Sequence, residues 1–125
     1  MPNRSVVLWI GAVPNEQLFL SAVTIGEIQA GIEITRDQDR AKAQELEFWL
    51  EQVLASYSVL GLDAAVFREW ARLMHRRSDT LIQDALIAAV AVVNRLTVIT
   101  RNVADFHELG VAIIDPFEYL NGSSS

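Results

Sequence analysis

Between Leu81 and Arg95 the chain carries one acidic side chain, Asp84, and then ten consecutive residues without a charge, Ala85 to Asn94. The stretch is long enough for about four helical turns. A helix formed from it is apolar all round and must be packed on most sides. It is too short to span a bilayer, which takes roughly 20 apolar residues. It is therefore expected as an interior helix, which the rest of the chain has to cover.

The remaining segments supply suitable partners. Asn3 can cap a short helix over about Arg4 to Ala12, and Pro14-Asn15 signals a turn. Leu18 to Val23 reads as a strand ending near Ser21, with a helix from Thr24 to about Arg36. After a polar loop, Asp37 to Asp39, Leu46, Trp49, Leu50, Val53 and Leu54 follow the spacing of a core-facing helical stripe. Tyr57 to Leu62 reads as a short strand. Asp63 can cap a helix that buries Val66, Phe67, Trp70, Leu73 and Met74, and His75-Arg76-Arg77 closes it with charge suited to a helix C-terminus. Ser78 to Thr80 is a loop, Leu96 to Thr100 a strand, Ala104 to Leu109 a helical turn ended by Gly110, and Val111 to Ile114 a last strand. Asp115-Pro116 begins a C-terminal turn, and the Ser-rich end reads as a frayed tail.

Strands that alternate with helices imply an α/β fold with a mostly parallel sheet flanked by helices on both faces. In such sheets ligands sit beyond the carboxyl ends of the strands, where Ser21, Thr100 and the residues after them fall. The 125 residues and 51% apolar content suit one domain with one core. With no cysteine, disulfides and thiolate metal sites are excluded, which suits a reducing cytosol. No secretory signal is visible, because Met1 to Ser5 is polar and the apolar run behind it is only Val6 to Ile10. A formal net charge of −6 argues against a broad surface that neutralises phosphates. It leaves room for a nuclease that meets phosphate through a cation held by carboxylates.

Three acids fall where that chemistry would need them. Glu27 follows the first strand, Asp84 begins the apolar helix, and Asp105 follows the strand ending at Thr100. Carboxylates converging on one rim form a hard, oxygen-rich site of the kind Mg²⁺ and Mn²⁺ prefer. Each also has a plainer explanation. Thr24-Ile25-Gly26-Glu27 fits a capping box in which Glu27 bonds back to the Thr24 nitrogen. Asp84 complements a helix dipole, worth roughly 0.3–1 kcal/mol, although a carboxylate at the edge of an apolar stretch still needs a partner or a cation. Asp105 can be an ordinary loop acid or helix cap. Asn102 can stabilise a turn or bind a metal through its amide oxygen. His75 and His107 lack a second ligand at metal-binding spacing and read as surface residues.

Three segments together resemble the PIN-domain ribonucleases, most closely the bacterial VapC- and FitB-like toxins. Ser21-Ala22-Val23-Thr24-Ile25-Gly26-Glu27-Ile28 resembles the second acidic motif of that family. Asp84-Ala85-Leu86-Ile87-Ala88-Ala89 resembles the third and is the most specific match. Thr100-Arg101-Asn102-Val103-Ala104-Asp105-Phe106 resembles the fourth. The resemblance covers about residues 2–119, leaving 120–125 as a flexible tail. It implies a three-layer PIN-like sandwich and a Mg²⁺- or Mn²⁺-dependent endoribonuclease toxin in the cytoplasm. Glu27, Asp84 and Asp105 would be catalytic acids and metal ligands, with Asn102 sharing the fourth corner. Ser21 and Thr24 would support the site, and activated water would attack an RNA phosphodiester. It further implies a small antitoxin partner, a homodimer and no membrane. Arg36, Arg40, Arg76, Arg77 and Arg101 are candidate phosphate contacts, Arg101 the nearest to a motif.

PIN domains open with a central strand ending in an Asp-Thr-Asn-like motif, whose Asp is the first ligand. Here no Asp occurs before Asp37, so the expectation is a PIN-like domain without that strand. Two functional readings follow: an active nuclease toxin, or a catalytically inactive remnant that only binds an antitoxin or a sister toxin. A receiver-like signalling domain also gathers acids at strand ends, but it needs a Lys after a late strand. Lys42, the sole lysine, falls within a helix.

Overall fold

The computed structural model describes residues 18–100 and 102–115. The expected helix over 4–12, the turn at 14–15, Arg101, Pro116 and the tail over 120–125 lie outside them. The chain divides into two compact units, one within Asn15–Gly61 and one from Leu62 onward.

In the first unit, β1 (Phe19–Ser21) leads into α1 (Ala22–Gln38), which is followed by α2 (Arg40–Ser56) and β2 (Ser58–Leu60). The two strands pair in parallel, Phe19 with Ser58 and Ser21 with Leu60. α1 begins two residues earlier than its sequence suggests, because Ser21 is the N-cap and its Oγ accepts from the Val23 nitrogen at 3.1 Å. Asp39 alone joins α1 to α2. Its N–H donates to the Thr35 carbonyl at 2.7 Å, and its Oδ1 accepts from the Lys42 nitrogen at 3.0 Å, so one residue closes one helix and opens the next.

The two helices bury Ile32, Ala43 and Leu50, with Ile25, Ile28 and Leu46 packed around them. The inward stripe of α2 is thus Ala43, Leu46 and Leu50. Trp49 and Leu54, expected inside, are exposed at 49% and 42%. The small Ala43 is fully buried between the helices and is part of the inward stripe. At the edge of this contact, Gln29 and Arg36 from α1 both donate to Glu33 and reach across to Glu47 on α2.

In the second unit, α3 (Ala64–Met74) runs through a 3₁₀ turn over Asp79–Leu81 into α4 (Ile82–Asn94). Then come β3 (Val98–Ile99), α5 (Val103–Glu108) and β4 (Ile113–Ile114). Asp63 caps α3 as its position predicts, its Oδ1 accepting from the Val66 nitrogen at 3.0 Å. β3 and β4 pair in parallel, with the Val98 nitrogen on Ala112 and the Thr100 nitrogen on Ile114. The core gathers Leu81, Ala85, Ala88, Ala91, Val98, Phe106 and Leu109, with Trp70, Leu73 and Met74 of α3 packed against it.

α4 is the apolar helix the sequence singles out, and its middle is packed nearly all round: Ala88, Ala89, Val90 and Ala91 are buried in succession, and each residue steps about 100° around the axis. Its buried residues are mostly alanine (Ala85, Ala88, Ala89, Ala91), whereas Ile82, Val92 and Val93 are exposed at 39%, 40% and 37%. Small side chains let neighbouring elements approach closely around the middle of the helix, and the exposed Ile82, Val92 and Val93 lie toward its ends. Among the described residues the parallel pairing expected from the alternation of elements is present as two two-stranded sheets, one in each unit.

α4 ends in a Schellman-type cap. The Leu96 nitrogen bonds the Ala91 carbonyl at 2.8 Å and the Arg95 nitrogen the Val92 carbonyl at 3.2 Å, with Arg95 left-handed at φ 57, ψ 48. That position favours glycine, and an L-residue there costs roughly 1–2 kcal/mol. Replacing Arg95 by Gly should raise unfolding stability by about 0.5–1 kcal/mol once the looser unfolded chain is counted; an unchanged or lower urea midpoint would contradict the assignment.

On α1, the hydrogen bond from Arg36, followed by that from Gln29, holds the Glu33 carboxyl below its ordinary value. A depressed acid contributes stability above its unfolded pKa and loses that contribution as pH falls through the folded one. The stability gap between the native protein and Arg36→Gln should be small but present at about pH 7 and should close by about pH 2. Urea titrations at both pH values check this.

Candidate active site

The 3₁₀ turn before α4 is itself capped, with Ser78 Oγ accepting from the Thr80 nitrogen at 3.2 Å and from its hydroxyl at 3.0 Å. The chain then enters α4 with Asp84 in the first turn, where the helix dipole favours a carboxylate. Trp70 holds this end from the side. Its indole N–H donates to the Ile82 carbonyl at 3.2 Å, and its ring meets Phe67 edge-on at 6.2 Å.

The second acidic residue arrives from the end of β3. The Asn102 nitrogen donates to Thr100 Oγ1 at 2.9 Å, which turns the chain out of the strand. α5 begins at Val103, with Asp105 in its first turn. The far end of α5 is fixed by Arg77, whose guanidinium donates to the Leu73 carbonyl at 2.6 Å and the Glu108 carbonyl at 2.9 Å. These are carbonyls at the C-terminal ends of α3 and α5, which the helices leave without internal partners. Arg77 is therefore a clamp and not the phosphate contact its sequence position suggests. Arg36 is likewise committed, to Glu33 and Glu47.

Asn102 brings the two acids together. Its Nδ2 donates to Asp84 Oδ2 at 3.1 Å and to Asp105 Oδ2 at 2.9 Å. An Asn at a helix N-cap ordinarily accepts a backbone N–H through its side-chain oxygen, a bond worth about 1 kcal/mol. Asn102 occupies the N-cap of α5 and makes no such bond. Its amide is turned the other way, with one nitrogen shared between two carboxylates that would otherwise repel each other.

Glu27 belongs to the other unit. It lies in the second turn of α1, exposed, and no hydrogen bond or ion pair engages its carboxylate among the described residues. The capping-box explanation is thereby removed: Ser21 is the cap, and Thr24 is the third helical residue rather than the residue that opens the helix. His75 and His107 are exposed, as expected.

A family model described as the PIN domain matches residues 2–111. The chain belongs to the PIN-domain family. It is 35% identical over 124 residues to the plasmid stability protein StbB of Pseudomonas syringae pv. tomato, covering 94% of this chain and 88% of that one. It is also 35% identical to the VapC ribonuclease Y4jK of Sinorhizobium fredii, with 94% and 87% covered. The crystal structure of FitAcB from Neisseria gonorrhoeae superposes with a TM-score of 0.84 at 30% identity, covering 94% of this chain and 88% of that one.

PIN-domain nucleases generally use a divalent metal, and the second unit's polar residues suit one. Mg²⁺ takes hard oxygen ligands and retains several waters. Asp84 and Asp105 each direct an oxygen at one shared nitrogen, where a positive centre is favoured. Rotating the Asn102 amide by half a turn would present a third oxygen. Among the described residues no group of three His, Cys, Asp or Glu is arranged to hold a metal, so this unit offers two carboxylates and one amide.

The shared amide predicts a measurable loss. Asn102→Ala removes the one donor that Asp84 and Asp105 share. In metal-free buffer it should lower unfolding stability by about 1–2 kcal/mol. A urea midpoint equal to that of the native protein would show that the two bonds contribute nothing.

Proposed function

We propose that this PIN domain is the toxin of a toxin–antitoxin pair: a Mg²⁺- or Mn²⁺-dependent endoribonuclease that a small cognate antitoxin neutralises. The observation that carries the reading is the convergence of Asp84 and Asp105 on Asn102 at the start of α4 and the end of β3. These are positions where α/β sheets bind ligands. The ribonuclease name of one relative and the similarity to FitAcB support it.

Asp84 and Asp105 would hold the cation through their carboxylates, with Asn102 beside them. In the other unit Ser21 fixes the start of α1, which carries Glu27, and Thr24 lies in the same first turn. A divalent ion bound there lowers the pKa of water and offsets charge on the phosphate as it becomes five-coordinate. The chain's own contribution is to hold Asp84 and Asp105 close together before any ion arrives, which the shared Asn102 side-chain nitrogen does. Arg77 and Trp70 keep the two helices that carry these acids in register.

The test is cleavage of single-stranded RNA by the purified chain with Mg²⁺ or Mn²⁺. Asp84→Asn should reduce the rate by about 100-fold or more, the upper end of what losing even an indirect metal contact costs. EDTA should abolish cleavage. Cleavage that survives both EDTA and the substitution would remove the metal-site assignment. A folded protein that binds its antitoxin but cleaves nothing would favour the inactive-remnant reading.

A further inference from the structure

Positive charge clusters on α3 and the turn that follows it. Of the chain's ten lysines and arginines, four fall between residues 68 and 77, against a formal net charge of −6. Arg77 is engaged as a clamp. Arg68, Arg72, His75 and Arg76 are exposed. Arg68 and Arg72 lie one turn apart on α3, about 6 Å along its axis. His75 is the C-cap on the same side, and Arg76 follows it with φ 63. Glu69 is the single acidic residue from 64 to 77 and already accepts from Arg72 at 3.1 Å. The opposite side of the helix buries Val66 and packs Trp70, Leu73 and Met74 on the core.

Favourable interaction with the helix dipole explains cations in the last turn, which accounts for Arg72 and its successors. It does not account for Arg68, which stands in the second turn of α3. A further feature of this face is a hollow of about 420 Å³ lined by Ala71, Arg72 and His75. An imidazole and a guanidinium are the kinds of group on which unstacked bases rest.

The placement of the face matters as much as its charge. Trp70, in the C-terminal half of α3, is bonded to Ile82 at the start of α4. The C-terminal half of α3 is therefore joined, through its core-facing side, to the end of α4 that carries Asp84, and the basic face is the outer side of the same joint. Carboxylates gathered for a cation repel a polyanionic substrate, and nearby arginines offset that repulsion. At about 0.1 M salt, charges beyond roughly 10 Å are largely screened. The net charge of the whole chain therefore weighs less than this local cluster.

We propose that Arg68, Arg72, His75 and Arg76 on the exposed face of α3 bind the sugar–phosphate backbone of the RNA strand whose scissile phosphate is presented to Asp84 and Asp105. The inference rests on the nuclease reading but can be tested apart from it, in EDTA, where no cation-dependent cleavage occurs. Binding of a fluorescein-labelled single-stranded oligoribonucleotide is followed by anisotropy over a range of salt concentrations. Each phosphate neutralised on a single strand contributes roughly 0.7 to the slope of log affinity against log salt.

The triple variant R68Q/R72Q/R76Q should bind more weakly, and its slope should fall in magnitude by about 2. The control variant K42Q, which removes an exposed cation at the start of α2 that pairs with Glu45 at 3.7 Å, should keep the native slope. Circular dichroism of each variant establishes that it is folded. An unchanged slope in the triple variant would overturn the proposal, as would a native protein that shows no salt-dependent RNA binding. A triple variant that keeps RNA binding but loses binding to polyglutamate would assign the face to an acidic polypeptide and overturn it too. Cleavage assays with Mn²⁺ on the same preparations judge the nuclease reading separately. Lost cleavage with an intact difference in slope leaves the RNA surface standing, and cleavage with no difference removes only the surface.

Discussion

Two like charges held close together need a donor or a cation between them, and the second unit is organised around meeting that need. Asp84 and Asp105 come from different helices, separated in sequence by a strand and its turns. Asn102 gives up its usual capping bond to donate to both. The first turn of α5 thereby forgoes a side-chain cap, and Arg77 steadies that helix from its opposite end. Local stability is yielded at the very residue where two carboxylates must be kept in place, a conflict between local preference and observed structure of the kind that marks functional positions.

The scaffold behind this arrangement depends on alanine. With Ala85, Ala88 and Ala91 in the core, α4 can lie close against its neighbours. The start of the helix, and Asp84 with it, is fixed by backbone contacts as well as by side chains. The bond from Trp70 to Ile82 shows this directly, since it reaches the main chain at the turn that displays the carboxylate. The helix that reads as interior in every direction is buried around its middle, from Ala88 to Ala91, and is exposed only toward its ends, at Ile82, Val92 and Val93.

Much of this organisation is legible in the sequence. Elements appear in the expected order, and Asp63 caps α3 where its spacing puts it. Gly110 takes the positive φ (74°) that ends α5. The acids Asp84 and Asp105 do converge, and Asn102 is with them. What the sequence hides is relational. Ser21 rather than Thr24 caps α1, because both residue types are good caps and only the backbone path decides between them. The inward stripe of α2 includes Ala43, a residue too small to register as core by hydrophobicity. Arg77 reads as a solvated charge until the carbonyls of Leu73 and Glu108 are seen to lie within its reach. Asn102 reads as a turn former or an oxygen ligand, and its nitrogen donating to both acids is a contact the spacing does not reveal. Periodicity locates faces, but it carries no information on which end of an amide points where.

The joint at Asp39 limits how the first unit can vary. Because a single residue terminates one helix and initiates the next, there is no slack in which an extra residue could be absorbed. Each residue of a helix turns it by about 100°, so an insertion there would swing Ala43 and Leu50 out of line with Ile32 and carry Glu47 away from Gln29 and Arg36. Length variation in this half of the molecule is therefore channelled elsewhere, and the α1–α2 hairpin behaves as a fixed-geometry part.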